Sequence, residues 1–558
     1  MRPFIQTGPR LPDAWTSDRT LRESLRFHLG EELWDEAEAD LRPVGAWSTD
    51  PEVLALGMQA ESEPPRLTQF GPWGDRVDTI VTSSAYEALG RAGVEFGVAA
   101  LPYEDGSYGD RARLVWSAMV ALWGPSSALY SCPIAMTDAA ARTLLLHGAP
   151  DDIEVVKRLT SRDPEIAWTS GQWMTETTGG SDVGGTETVA RRAEDGTWRL
   201  YGTKWFTSAT TSQMALTLAR PDGAPSGSKG LALFRIERTL PDGAPNAIAV
   251  RRLKDKLGTR SMPTAELELE GAVAYPIGDV GDGGGLRRIA TMLNITRLHN
   301  SIGAAAALGR GLAFARAFAS IRQVFGKPLA EQPLHQATLA DLAVDYAAAV
   351  ALVMRVAELT GRMERGTASD EEVALLRGLT PITKLATARW AVAGTAEAME
   401  ALGGVGYCED SGLPALVRNT HVLPIWEGTT NVLALDLLRS AARSDSLSVL
   451  LRDARAALVP IRDHPAVGGT CVLVAQALDD IECRAAATKG DQQAAEAGAR
   501  SLAFSVATTY ACTRLCLQGA WAADRGDQRT AQIAKRLAQR GLLTPPPPVL
   551  PQNHPPYE

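Results

Sequence analysis

The chain lacks any uninterrupted apolar run of about 18 residues, so no simple hydrophobic membrane span is expected. Histidine is scarce, with 7 residues scattered along the sequence, and a histidine-based metal site is not expected. The 6 cysteines, Cys132, Cys408, Cys471, Cys483, Cys512 and Cys516, show no zinc-type spacing. Cys512 and Cys516 stand one helical turn apart and read as a pair of buried thiols. The opening MRPFIQTGPRLPDAW has no apolar core of a signal peptide. Together with the sparse cysteines this points to a reducing, cytoplasmic setting. An excess of positive charge is also missing. The net charge of −9 argues against a chain that binds nucleic acid over its whole surface. Only the region from Ser440 onward is slightly basic, with 13 Lys and Arg against 11 Asp and Glu, and its densest basic run is Arg525 to Arg540.

What is present is a long chain of ordinary globular composition. At 558 residues, with 45% hydrophobic and 22% charged residues, it exceeds a single core and predicts several domains. Residues 1–165 carry helical periodicity at Ser83–Gly93, Arg111–Gly124, Met136–Leu146 and Asp151–Leu159, with a loop predicted over Glu61–Arg76. Residues 166–280 change to strand patterns such as WRLYGTKWFTSA, QMALTLARP, KGLALFRIE, IAVRRLKDKLG and TAELELEGAVAY, separated by turn residues. This predicts a β-barrel or sandwich set inside a helical protein. Residues 281–445 return to long Ala-rich helices, near Arg287–Ile321, Leu334–Arg365, Asp370–Gly403 and Thr430–Ser444, as in a four-helix bundle. A helical extension is predicted over 446–541, and a Pro-rich, extended tail over 542–558.

Two segments have the composition of sites. IWEGTTN, Ile425–Asn431, sets a single carboxylate, Glu427, between an aromatic residue and a glycine. Partial desolvation there would favour a role as a base, while a carboxylate before a helix is also what the helix dipole favours. MTETTGGSDVGG, Met174–Gly185, is a Gly-rich loop with hydroxyl side chains that can cradle an anion or a ring. It has neither the context of a dinucleotide-binding Rossmann turn nor the lysine of a P-loop.

In order, the segments MTETTGGSDV, GTKWFTSA, RLKDKLGTR, RQVFGKPL, ALGGVGY and IWEGTTN resemble the acyl-CoA dehydrogenase family, and their variants resemble its AidB-like branch. The resemblance spans about Ser131 to Arg439. It implies an α+β fold: an N-terminal helical domain, a central β domain and a helical bundle, here with a further helical extension. It implies FAD as cofactor, an acyl-CoA substrate, a homotetramer, and electron-transfer flavoprotein as the electron acceptor, in fatty acid metabolism.

By this resemblance Glu427 is the base that takes the α-proton, with Thr296 standing where isovaleryl-type members place theirs. Met174, Thr175, Gly180 and Ser181 match the flavin- and substrate-facing loop. Phe206 replaces the family's stacking Trp, with Trp205 expected on the opposite strand face, and Ser208 matches the hydroxyl beside flavin N5. Arg322 and Phe325, followed by Gly326, match the segment that reaches the FAD of a neighbouring subunit, with Pro333 at the family's next Gln and Gln332 and Gln336 close by. Gly403 and Gly404 match the pyrophosphate turn that runs to Tyr407, and Glu400 replaces its usual Gln. Thr429 and Asn431 complete the cofactor set, Arg297 and Ser181 the substrate set, and Arg439 matches another arginine near the flavin. The AidB-like branch also brings two other readings: DNA binding through the C-terminal region, and sequestration of a fatty acyl-CoA with little turnover.

Overall fold

The computed structural model describes residues 8–546. The N-terminal section contains α1 (Ala14–Ser17), α2 (Arg19–Leu29), α3 (Trp34–Ser48), α4 (Pro51–Ser62), α5 (Ser84–Glu95), α6 (Ala112–Trp123), α7 (Ser131–His147) and α8 (Asp152–Leu159). Asp13, Asp18, Asp50 and Ser83 cap α1, α2, α4 and α5 by accepting first-turn N–H groups. The loop predicted over Glu61–Arg76 is instead largely a β-hairpin, β1 (Arg66–Phe70) with β2 (Arg76–Val81), in antiparallel register Arg66↔Val81. The hairpin gains its order from a distant partner. Asp78 Oδ2 accepts the N–H of Val250 at 2.8 Å, while Gln69 and Arg76 both donate to the Val250 carbonyl.

The central domain comprises β3 (Ser170–Gln172), β4 (Val189–Arg192), β5 (Trp198–Ser208), β6 (Met214–Pro221), β7 (Ala232–Glu237), β8 (Ile248–Leu253) and β9 (Thr264–Ile277). The pairings β6–β4, β4–β5, β5–β9, β9–β7 and β7–β6 form a closed ring, with β3 added to β6 and β8 to β9. This is a small barrel, and closure removes most of its free edges. Its interior holds alternate residues such as Leu200, Ala215, Phe234, Leu267 and Leu269. The sequence pattern carries on past Leu253, but the chain leaves the sheet there. At Gly258 a Cβ would lie 2.6 Å from the Arg418 carbonyl, so this turn packs backbone on backbone.

The bundle consists of α9 (Gly285–Ile321), α10 (Pro333–Glu364), α11 (Asp370–Ala401) and α13 (Thr430–Ser444), with a short α12 (Leu413–Thr420) between the last two. A two-residue hairpin, β10 (Gln323–Val324) and β11 (Lys327–Pro328), joins α9 to α10. By length and composition α9 and α10 could each cross a membrane, but most of their apolar residues are packed inside the bundle. The extension forms α14 (Ser446–Leu458), α15 (Gly468–Ala487), α16 (Gln492–Ala523) and α17 (Arg529–Arg540). Leu502, Val506, Tyr510 and Leu515 of α16 share one apolar core with Leu352, Leu379 and Leu433 of the bundle. Of the predicted Pro-rich tail, residues 547–558 lie outside the described residues.

The basic run in α17 docks along the body. Ala531, Ala534 and Leu537 are buried, Arg529 pairs with Glu23, Arg536 with Asp341, and Arg540 with Asp341 and Asp345.

Candidate active site

Glu427 sits in the turn between α12 and α13 and has a left-handed backbone, φ 58°, which is uncommon for a residue with a side chain. Gly428 follows at φ 106°, where an L side chain would be strained. Two cations hold this turn from below. Arg297 of α9 donates from Nε to the Glu427 carbonyl at 3.2 Å and pairs through Nη1 with Asp436 at 2.9 Å. Lys384 of α11, fully buried, donates to the Gly428 carbonyl at 2.6 Å. Trp426 packs between two apolar clusters and donates its indole N–H to the buried Asn300 of α9. Thr429 caps α13, accepting the N–H of Val432.

The carboxylate is therefore aimed by its own backbone. Its Oε2 accepts a 2.6 Å hydrogen bond from Thr296, and Gln172 approaches it at 3.5 Å. The single hydroxyl proton of Thr296 also has the Met292 and Leu293 carbonyls within 3.2 Å, and Glu427 is the nearest acceptor. Among the described residues no donor meets Oε1. Cys132, at the start of α7, is close enough for the negative charge of Glu427 to matter. Burial first, and that charge second, push its thiol up to about 12. Burial lowers Lys384 to about 7, against the pull of Glu427 and with the repulsion of Arg297. Lys256 is lowered by burial to about 8 and donates to the carbonyls of Thr259 and Met262 and to the Thr264 hydroxyl.

The barrel supplies the opposite wall. Met174 is buried in the same cluster that contacts Trp426. The Thr175 carbonyl accepts the Trp205 N–H at 2.8 Å, and a Cβ on Gly180 would meet the Thr175 hydroxyl at 2.6 Å, so a larger residue there would have to displace the Thr175 side chain. Gly180 and Ser181 are exposed. The loop is anchored by Glu176, buried, which bonds Lys204 at 2.7 Å and accepts from Glu187 and Thr188. Ser208 ends β5, with its hydroxyl 3.3 Å from Thr264.

The strict alternation expected of Trp205 and Phe206 is broken. The β5–β9 register slips between Lys204 and Thr207, one residue more on β5 than on β9, and both rings lie beside the ammonium of Lys254, at 3.5 and 4.7 Å. Phe206 remains 54% exposed.

Other predicted residues lie elsewhere in the chain. Arg322 and Phe325 belong to the hairpin after α9, some 26 residues beyond Thr296, about 39 Å along the helix. Phe325 is 98% exposed with φ 51°, and Gly326 has φ 83°. Gly403, at φ 63°, and Gly404 form an exposed turn after α11, beside exposed Glu400 and Tyr407. Asn431 accepts from Arg500 of α16 at 3.3 Å, and Arg439 is exposed on α13. Sequence reasoning missed Gln172, Lys384, Cys132, Lys256 and Glu176. Lys256 and Glu176 lay within quoted motifs, whereas Gln172, Lys384 and Cys132 carried no local signal that set them apart.

A closed barrel facing a long-helix bundle, with one carboxylate at the turn before the last bundle helix, defines the architecture of a flavin-type acyl thioester dehydrogenase. The chain belongs to the acyl-CoA dehydrogenase family. Models of the "Adaptive response protein AidB N-terminal domain", the "Acyl-CoA dehydrogenase, middle domain" and the "Acyl-CoA dehydrogenase, C-terminal domain" match residues 10–164, 171–272 and 283–442. Acyl-CoA dehydrogenase family member 11 of Caenorhabditis elegans is 45% identical over 78% of this chain and 72% of its own length. Putative acyl-CoA dehydrogenase AidB of Escherichia coli is 36% identical over 74% of this chain and 76% of its own. The crystal structure of Caenorhabditis elegans ACDH-11 in complex with C11-CoA superposes with a TM-score of 0.93 at 38% identity, covering 98% of this chain and 94% of that one. The chain is thus an FAD-dependent oxidoreductase acting on acyl-CoA, with the AidB-type N-terminal domain.

Proposed function

We propose that the protein performs α,β-dehydrogenation of a fatty acyl thioester with Glu427 as the α-proton base. The observation that carries this reading is the setting of Glu427: a left-handed backbone gripped at two successive carbonyls, with one carboxylate oxygen held by Thr296.

The residues fit FAD. Gln172 has a buried amide oxygen with no hydrogen-bond partner beside Glu427, and Phe206 offers an exposed ring two residues before Ser208. Met174, Thr175, Gly180, Ser181, Phe206 and Ser208 would hold the ring end. FAD held there would supply the hydride acceptor. The chain does the rest. Glu427 takes the α-proton through Oε1, while Thr296 keeps the carboxylate from rotating. The backbone N–H of Glu427, fixed by the same grip, is available to stabilise negative charge that develops on the thioester oxygen. Trp426 and the apolar cluster beneath it keep water from the base.

Arg322 and Phe325 stand too far from Thr296 to serve the same flavin within one chain. A strained, exposed aromatic turn suits burial against a second copy, in a homotetramer where that copy's hairpin reaches the dinucleotide together with Gly403 and Gly404. Electrons would then pass to an electron-transfer flavoprotein in the cytoplasm. The relative solved with C11-CoA supports a medium to long acyl chain.

Anaerobic flavin bleaching over a panel of acyl-CoA chain lengths tests the reading. Glu427→Gln should retain FAD and slow reduction by about 10²- to 10⁴-fold. Undiminished reduction in that variant refutes the assignment.

A further inference from the structure

We propose that Lys384 is a positioning residue for the base, its buried amino group donating to the Gly428 carbonyl so that the turn carrying Glu427 stays in its left-handed conformation. The inference rests on Glu427 acting as the base.

Lys384 lies in the middle of α11, fully buried, between Thr383 and Leu385, which are also buried. A charged lysine in such a place is costly unless strongly hydrogen-bonded. Its contact is short, 2.6 Å, and is made to a main-chain oxygen rather than to a carboxylate. The acceptor belongs to the residue directly after Glu427, at φ 106°. The charged groups that face Lys384 are Glu427 from the turn above it and Arg297 from α9, whose guanidinium is tied to Asp436 of α13. Glu427 favours the ammonium and Arg297 opposes it. No neighbour among the described residues gives Lys384 a direct salt bridge, so a purely structural ion pair does not explain its presence.

Arg297 and Lys384 take consecutive carbonyls, those of Glu427 and Gly428. Holding both fixes two consecutive peptide planes and so the torsions of Gly428 between them. That fixes the exit of the Glu427 side chain toward Thr296 and Gln172. A left-handed residue with a side chain costs energy that the surroundings must supply, and these two cations are the donors in contact with that turn. Without Lys384, the Gly428 peptide is free to rotate about a glycine, the residue least able to resist it. A displacement of about 1 Å at a reacting group can cost about 10²-fold in rate.

The test uses the FAD-loaded protein with Lys384→Met and Lys384→Arg, beside Glu427→Gln. Hydrogen–deuterium exchange over residues 425–431 is measured with no substrate present, together with flavin content and the rate and KM of acyl-CoA oxidation. Lys384→Met should keep FAD, raise exchange in that segment by about 10-fold, and lower kcat by roughly 30- to 100-fold with KM changed less than about 3-fold. Lys384→Arg should restore part of both effects. If Lys384→Met fails to fold, Lys384→Arg still decides, since retained charge with a longer reach should give intermediate exchange and kcat. Glu427→Gln inactive with Lys384→Met like wild type in exchange and kcat overturns this inference alone. Glu427→Gln fully active overturns the base assignment and this inference with it.

Discussion

Thr296 donates to Glu427 Oε2 at 2.6 Å, and a hydrogen bond to a charged group is worth about 1.5–3 kcal/mol. Thr296→Val keeps the volume and removes the donor. Flavin reduction by acyl-CoA should slow by about 10-fold in stopped-flow absorbance with FAD content unchanged; an unchanged rate would mean that the hydroxyl does not orient the base. The same site makes a prediction for stability against pH. Burial lowers Lys384 to about 7 and Lys256 to about 8, both below the value of an unfolded lysine. Below about pH 7 both states are protonated and the burial penalty is fully present. As pH rises from there toward the unfolded value, the folded state releases protons that the unfolded chain keeps, so these groups raise stability. The slope reaches at most about 1.4 kcal/mol per pH unit for each lysine. The gain in melting temperature between pH 7 and 9 should therefore be smaller in Lys384→Met than in wild type, and equal gains would contradict the assignment. The sequence marked Glu427 through its place in the ordered family motifs, since a lone carboxylate before a helix is also what the helix dipole favours. It did not mark Lys384, which stands forty-odd residues away in an ordinary Ala-rich helix, because nothing local tells a buried lysine from an exposed one.

At the scale of elements, the β1–β2 hairpin shows where local patterns fail. Its residues alternate in exposure, yet Pro64, Pro65, Gly71, Pro72 and Gly74 around and within it read as loop. A two-stranded hairpin is marginal by itself; this one is ordered by Asp78, which bonds Val250 N–H and Arg76, and by Gln69 and Arg76 on the Val250 carbonyl. Asp78→Ala removes two of these bonds and leaves a side chain other than Asn or Asp at φ 41°. Limited proteolysis should then cut at residues 71–75 at least about 10-fold faster, in line with a loss of 1.4 kcal/mol or more. Resistance equal to wild type would show that β8 does not hold the hairpin. The strands of the barrel were legible because alternation and turn residues coincide there. The bulge at Trp205–Phe206 was not, since its cause is the pairing with β9 rather than any residue in β5.

For the whole molecule, a buried charge network joins the N-terminal helices to the bundle. Arg113 of α6 bonds Asp138 of α7 at 2.7 Å and Glu364 of α10 at 2.8 Å, while His299 of α9 and Tyr103 also meet Asp138. Burial alone would raise Asp138, but Arg113 and His299 outweigh it and hold the carboxyl well below the usual range. Removing one partner of such a network leaves the others uncompensated, at about 3–5 kcal/mol. Asp138→Asn should shift the urea unfolding midpoint down by a corresponding amount; a shift worth under about 1 kcal/mol would mean that the network relaxes without it. The extension is as firmly tied in, for α16 shares the bundle core and the arginines of α17 pair with Glu23, Asp341 and Asp345. Those pairings set Arg529, Arg536 and Arg540, three cations of the run Arg525–Arg540, against carboxylates of the same chain.

The order of helix, strand and helix and the family were legible in the sequence alone, which also marked Glu427 as the candidate base. Periodicity is a local property, and the six motifs lie in separate short segments whose spacing survives in one dimension. Closure of the barrel, the left-handed turn under Glu427 and its two cationic supports were decided only by the tertiary structure. Each depends on residues far apart in the chain, brought together where burial makes a single hydrogen bond strong enough to set the geometry of the site.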